Sequence, residues 1–243
     1  MGLKSSALAF AAIVTVTAMS AGAASAANLI TNGDFSSGFT GFTTQYNPVA
    51  PTPNALYPEG DITIAANPYS VHNLWVDLGD TGNPMLIVNG ATQGSPTIWE
   101  EDNIATSAGG TYSFSADVMD ICCNSAFGGN SNSPSLITFQ VSTDGGAIWT
   151  DLASYLSAPG LIAQSGDSGI AQSISGSFTS AAGGQFSIRA LNGITAAGGN
   201  DFALDNISVA GVPEPATWAM MMVGLGSLGL SLRSRRRLAA AAA

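Results

Sequence analysis

From Thr111 to Met119 the chain reads TYSFSADVM. Tyr112, Phe114, Ala116 and Val118 fall on one side, and Thr111, Ser113, Ser115 and Asp117 on the other. This is the period of two that an extended backbone imposes on its side chains. Such a run can only be a strand with one face on a core and the other in water. Similar runs at 61–66, 73–78, 85–89, 136–142, 185–190 and 202–209 are separated by clusters of Gly, Asn, Ser and Pro, and no stretch keeps a helical period for three turns. The sequence therefore predicts an all-β fold, a β-sandwich of roughly eight to eleven strands with a jelly-roll architecture. The proline-rich stretch Asn47 to Gly60 reads as a long loop, because the few residues ahead of it are too small a body for a core of their own. A second loop is predicted at GGNSNSP, 128–134, and the absence of a stable repeat argues against a solenoid or propeller.

Both ends of the chain depart from this pattern. Residues 1–26 carry one cation, Lys4, then an apolar stretch from Ala7 to Ala18, and close on Ala24-Ser25-Ala26, the small-x-small pattern of a cleavable signal peptide. The chain is thus expected to be exported, with signal peptidase removing 1–26. Ala216 to Leu232 holds no charge and as a helix would reach about 25 Å, enough to cross a bilayer narrowly. Arg233, Arg235, Arg236 and Arg237 follow at once; by the positive-inside rule they stop transfer, stay in the cytoplasm, and leave everything before Pro213 outside. This predicts a single C-terminal transmembrane helix. The division expected is 1–26 signal peptide, 27–211 β-sandwich and 212–243 membrane tail.

The tail joins Val-Pro-Glu-Pro at Val212 to Pro215, an apolar span with Trp218, Gly224, Gly226 and Gly229, and an Arg-x-Arg-Arg-Arg terminus. In that order the parts resemble the PEP-CTERM sorting signal of Gram-negative bacteria, also known as an ice-binding-protein C-terminal motif. The resemblance implies transient anchoring in the inner membrane, recognition by an exosortase, cleavage near Pro213, Glu214 and Pro215, and delivery to the cell surface or an exopolysaccharide matrix such as a biofilm. It implies no ice binding, since the tail is an address shared by proteins of many kinds. The stretch from Pro58 to Phe114 also resembles a region recurring in exported PEP-CTERM proteins, and it names no reaction.

With both tails set aside, Arg189 is the only cation left, and sixteen carboxylates less Glu214 leave fifteen against it, a net charge near −14. Such a field repels phosphates, which excludes nucleic acid as a partner; divalent cations and neutral sugars stay compatible with it. Solubility outside the cell is the general explanation of the acidity.

The two ends of the body carry a second resemblance. NLITNGDF, Asn28 to Phe35, and DFALDNISV, Asp201 to Val209, are similar to the first and last strands of galactose-binding-like and carbohydrate-binding-module jelly rolls. The resemblance implies that these strands lie together and that structural calcium is held by Gly33, Asp34 and Asp205. Ser36 departs from the pattern, standing where the family commonly has an acidic residue, which leaves the site one ligand poorer. The residues themselves leave Asp205 open. It shares a face with Ala203, Ile207 and Val209, where a carboxylate needs a metal or several donors, but Phe202 and Leu204 make the other face an equal candidate for burial.

Catalytic chemistry is sparse. His72 is the only histidine, so a multi-histidine zinc hydrolase is excluded and no Ser-His-Asp set assembles from nearby residues. Glu100, Glu101 and Asp102 could serve glycoside hydrolysis, which needs two acids flanking one bond, but adjacent strand residues point to opposite faces. Ser142 to Trp149 fits Ser-x-Asp-x-Gly-x-x-Trp, resembling the Asp-box of sialidases, which is a structural hairpin remote from catalysis; Asp144-Gly145-Gly146 is a hairpin turn in its own right. Cys122 and Cys123 are adjacent, and a vicinal disulfide, two thiols or cross-links to another chain are all open. Among the aromatic residues, Trp75 and Trp99 have polar or charged neighbours and are the candidates for a stacking platform on sugar faces. The function expected is that of an exported, non-enzymatic surface or matrix protein that binds polysaccharide. The alternatives are a secreted glycoside-active enzyme and a purely structural matrix component.

Overall fold

The computed structural model describes residues 27–79, 81–94, 96–123, 133–157, 169–181, 184–196, 198–212, 223–224 and 226–227. The predicted signal peptide, the Pro213-Glu214-Pro215 motif and Arg233, Arg235, Arg236 and Arg237 lie outside them. Only 223–224 and 226–227 of the expected membrane span are described, and among the described residues no helix is long and apolar enough to cross a membrane.

The described residues form ten strands and one short helix. In chain order these are β1 (Asn47–Pro48), β2 (Asp61–Ala65), α1 (Pro68–Val71), β3 (Met85–Val88), β4 (Thr97–Ala105), β5 (Thr111–Asp120), β6 (Leu136–Ser142), β7 (Thr150–Leu156), β8 (Gln172–Thr179), β9 (Gln185–Asn192) and β10 (Phe202–Gly211). They make a sandwich of two sheets, one ordered β1-β2-β3-β10-β5-β8 and the other β4-β9-β6-β7. All pairings are antiparallel except β1 with β2. This is the predicted all-β, jelly-roll-like sandwich.

The period of two does what it should in β5. Tyr112, Phe114, Ala116 and Val118 are buried and face the core between the sheets, where they meet Phe139, Ile188, Ile207 and Val209. Removing a side chain such as Phe114 from water stabilises by about 1.5–3 kcal/mol. In β3 the alternation disappears because all four residues of MLIV are buried. Leu86 and Val88 enter the main core, while Met85 and Ile87 enter a second, smaller core on the outer face of the six-stranded sheet. That second core is capped by the excursion between β2 and β3, which contributes Val71 and Trp75, and by Leu56 from the loop before β2.

The excursion holds the one segment where the strand prediction fails. Residues 73–78 form only an isolated bridge, Trp75 to Cys122, after the single turn α1, which Asn67 caps by accepting the Tyr69 N–H. Pro68 opens that turn, where its missing N–H costs nothing. Conversely β4, β7 and β8 lie outside the predicted runs: most residues of the edge strands β7 and β8 are exposed or half-buried, so they show little apolar alternation, and two register shifts break the alternation of β4. The ends of the body do meet: Asn28 bridges Ala210, and the Leu29 N–H donates to the Val209 carbonyl.

Candidate functional site

The outer face of the four-stranded sheet carries one row of polar side chains in register across all four strands. Glu100 on β4 lies opposite Arg189 on β9, Arg189 opposite Gln140 on β6, and Gln140 opposite Asp151 on β7. The inward neighbours Ile188, Ala190, Phe139 and Val141 fill the core, so alternation forces Arg189 and Gln140 outward. Arg189 donates through Nε and Nη2 to Gln140 Oε1 at 2.9 and 2.8 Å, and Gln140 Nε2 donates to Asp151 Oδ1 at 2.8 Å. The guanidinium carbon sits 4.0 Å from the centroid of the Trp149 ring, a stacked cation–π contact. Burial pushes the Glu100 carboxyl upward and Asp102 adds to this, while Arg189 opposes it.

Trp149 reaches this position through the β6–β7 turn. Ser142 Oγ donates to Asp144 Oδ1 at 2.7 Å and accepts the Gly146 N–H at 2.9 Å, and Asp144 Oδ1 also accepts the Ile148 N–H at 3.0 Å. Gly145 and Gly146 both take positive φ, 78° and 88°, which favours glycine there. The Asp-box resemblance is therefore a self-bonded hairpin turn, and its tryptophan lies half-exposed beneath the body's only arginine.

Trp75 and Trp99 do not form the expected platform. They are 1% and 0% exposed, so neither offers a face to a sugar. Their polar neighbours misled, because Asn73, Asp77 and Glu100 take the outward positions and leave the rings inward. Trp99 packs against Phe42 in the main core, and Trp75 stacks on His72 at 4.4 Å and donates through Nε1 to Asp201 Oδ2 at 3.1 Å. The acidic triplet diverges as well. Glu100 joins the outer row, Glu101 turns inward and accepts the Thr31 N–H on both oxygens, and Asp102 is exposed.

Gly33, Asp34 and Asp205 do not fit a calcium ion as they are arranged. The Gly33 carbonyl accepts the Ile207 N–H, and Asp34 Oδ1 accepts both the N–H and the hydroxyl of Ser36. Asp205 accepts Asn83 Nδ2 on one oxygen and the Asn206 N–H on the other. Among the described residues no three His, Cys, Asp or Glu side chains gather as a cation would require. Burial nonetheless raises the Asp205 pKa. Cys122 and Cys123 are joined to each other by a disulfide and sit in the second core, 3% and 4% exposed.

Comparison with known proteins adds the address and a likeness of architecture. Residues 211–237 match the PEP-CTERM protein-sorting motif, so the chain carries the mark of an exported protein. Among solved structures, the CBM22-1 xylan-binding domain from Paenibacillus barcinonensis Xyn10C is similar at 13% identity and a TM-score of 0.47, over 79% of this chain and 99% of that one. The C-terminal domain of EclA, a sugar-binding protein, is similar at 15% identity and a TM-score of 0.35, over 46% of this chain and 66% of that one. The CBM22-1–GH10 modules of Clostridium thermocellum xylanase 10B, complexed with xylohexaose, give 13% identity and a TM-score of 0.43 over 73% of this chain, which spans only 27% of theirs. These are likenesses of chain path and say nothing about a ligand. No curated protein matches the chain.

Proposed function

We propose that this is an exported, non-enzymatic matrix or surface protein whose four-stranded sheet binds neutral polysaccharide along the row Glu100, Arg189, Gln140 and Asp151. The observation that carries the proposal is the register of that row beside Trp149. Donor and acceptor groups lie at strand spacing, about 4.8 Å, across the outer face, and the one half-exposed tryptophan of the body sits at its middle. Sugar hydroxyls are both donors and acceptors, so they can replace the bonds that Arg189, Gln140 and Asp151 now make to each other. Trp149 supplies apolar surface beside them. The charge of the body disfavours acidic polymers and leaves neutral ones. The sorting motif supports the route: signal peptidase at the N-terminus, an exosortase near Pro213-Glu214-Pro215, transient inner-membrane anchoring by the tail, and release to an exopolysaccharide matrix.

Affinity electrophoresis of the purified chain through gels containing soluble neutral polysaccharides, including the source organism's own exopolymer, tests this. Retardation is expected, and Trp149→Ala and Arg189→Lys should each weaken it by about fivefold to thirtyfold, since one bidentate or stacked contact is worth about 1–2 kcal/mol. Retardation that survives both substitutions, or none with any neutral polymer while the protein is folded, overturns the proposal.

A further inference from the structure

On the opposite side of the molecule, the second core opens into a cavity of about 150 Å³. Its walls are aromatic. The His72 ring lies over Trp75, nearly parallel at 13°, and Tyr57 meets His72 at 61° with centroids 4.5 Å apart, so two ring planes form a corner. The Cys122–Cys123 disulfide lines another side. Among the described residues two carboxylates also line it, the buried Asp201 and the exposed Glu59.

The polar inventory of this cavity is one-sided. Tyr57 OH donates to Asn73 Oδ1, Asn89 Nδ2 donates to the Leu56 carbonyl, and Trp75 Nε1 donates to Asp201. Those donors are committed inside the protein; Asp201, which burial pushes up to about 7, accepts Trp75 Nε1 and the Gly90 N–H, and the negative charge comes from exposed Glu59. Among the described residues no lysine or arginine lines the cavity. His72 does not supply the missing charge, because burial holds its pKa near 4 and keeps the imidazole neutral at ordinary pH. Electron-rich ring faces next to the exposed Glu59 carboxylate favour a cation. A hard metal ion does not suit the site, since apolar rings and a disulfide replace the six or more oxygens it needs. The volume is about half the lower bound of a pocket for a drug-sized molecule, so it admits a headgroup and leaves the rest of a ligand outside.

We propose that the cavity walled by Tyr57, His72, Trp75 and the Cys122–Cys123 disulfide, with Glu59 at its rim and Asp201 at its base, binds an organic ammonium headgroup. The site is separate from the sheet face and does not rest on the polysaccharide reading. The ammonium group stands against the Tyr57 and His72 rings, with Glu59 as its exposed counter-charge.

The chain supplies its own reporter. His72 is the only histidine, so the Hε1 and Hδ2 signals of its imidazole are assignable at the cavity wall without overlap from another histidine. The full chain is titrated with choline, with 3,3-dimethylbutan-1-ol, which has the same shape without the charge, and with calcium chloride. Choline is expected to move the His72 signals saturably, and the neutral alcohol and calcium are not. Glu59→Gln and Tyr57→Leu, both at exposed positions, should each weaken choline about threefold to fivefold, the scale of an exposed cation–π or ionic contact. Equal response to the neutral alcohol, a response to calcium, no response to choline in the folded chain, or choline binding indifferent to both substitutions would each overturn the assignment.

Discussion

Buried carboxylates are the costliest residues in this body. Burial pushes both Asp120 and Asp201 up to about 7, and the charge of Asp201 adds to the effect on Asp120. Asp120 Oδ2 is buried with no hydrogen-bond partner among the described residues, the position of an oxygen better protonated than charged. Against a reference value of 3.8, the folded chain binds more protons than the unfolded chain at these two sites between about pH 4 and 7. Their contribution to stability is therefore complete below about pH 4 and is lost as pH rises through 7, by at most about 1.4 kcal/mol per pH unit per site. His72 acts in the opposite sense: its pKa is lowered from 6.5 to about 4, so its contribution is present above 6.5 and lost as pH falls through 4. Two carboxylates outweigh one imidazole, and the melting temperature should rise as pH is lowered from 7.5 to 5. Asp120→Asn should flatten that rise; a melting temperature that falls over this range would contradict the protonation of the pair. The two buried tryptophans also separate here. Trp75→Phe removes the Nε1 bond and leaves an oxygen of buried Asp201 unpaired, at about 1–3 kcal/mol beyond the lost ring volume. Trp99→Phe removes an N–H that has no partner among the described residues and incurs the volume cost alone. Urea midpoints should therefore fall further for Trp75→Phe than for Trp99→Phe.

Among the elements, β10 shows how a local irregularity joins the ends of the body. Its register with β5 shifts between Asp205 and Ser208, and Asn206 takes φ 52°, a bulge conformation that asparagine tolerates. The bulge turns Ile207 into the main core and presents its N–H to the Gly33 carbonyl. A Cβ on Gly33 would press into the Ile207 carbonyl oxygen, so this glycine is needed for close backbone approach. Gly33→Ala should destabilise by about 1–3 kcal/mol, as an overpacked contact does, with thermal melting as the check. The same segment should be indifferent to calcium, with adding the ion or a chelator leaving the melting temperature unchanged, because its oxygens already serve amides and a hydroxyl. Central strands such as β5 were legible in the sequence, since a strand with one face on the core writes its alternation into the residues. The edge strands β7 and β8 were not, because they bury too little to write it. The outer row was half legible. Period two around Ile188 and Ala190 sends Arg189 outward, and its being the body's lone cation marks it, but no single strand reveals that Glu100, Gln140 and Asp151 stand beside it. The burial of Trp75 and Trp99 was not legible, because polar neighbours in sequence do not tell which face of a segment the ring takes.

At the scale of the whole molecule, the fold and the sorting motif meet at one strand. β10 is interior to the six-stranded sheet, paired with β3 on one side and β5 on the other, and it ends at Gly211, where the sorting-motif match begins. The last described contact before the motif's prolines is the Val212 N–H donating to the Thr111 carbonyl. A cut after that residue removes no strand pairing and no core side chain among the described residues. Shortening the chain only a few residues further takes away Ile207 and Val209, both fully buried, and the pairing of β10 with the start of β5. Loss of stability with truncation should therefore be abrupt. A chain ending at Val212 should melt within a few degrees of one that keeps the tail, whereas one ending at Asn206 loses about 3–6 kcal/mol of apolar burial from those two side chains and should fail to fold. Circular dichroism melts of the two truncations measure this. Equal stability of both would mean that β10 is not the strand that closes the sandwich. A large loss already at Val212 would mean that the tail packs on the body, so that its removal by an exosortase would cost the fold that the address delivers.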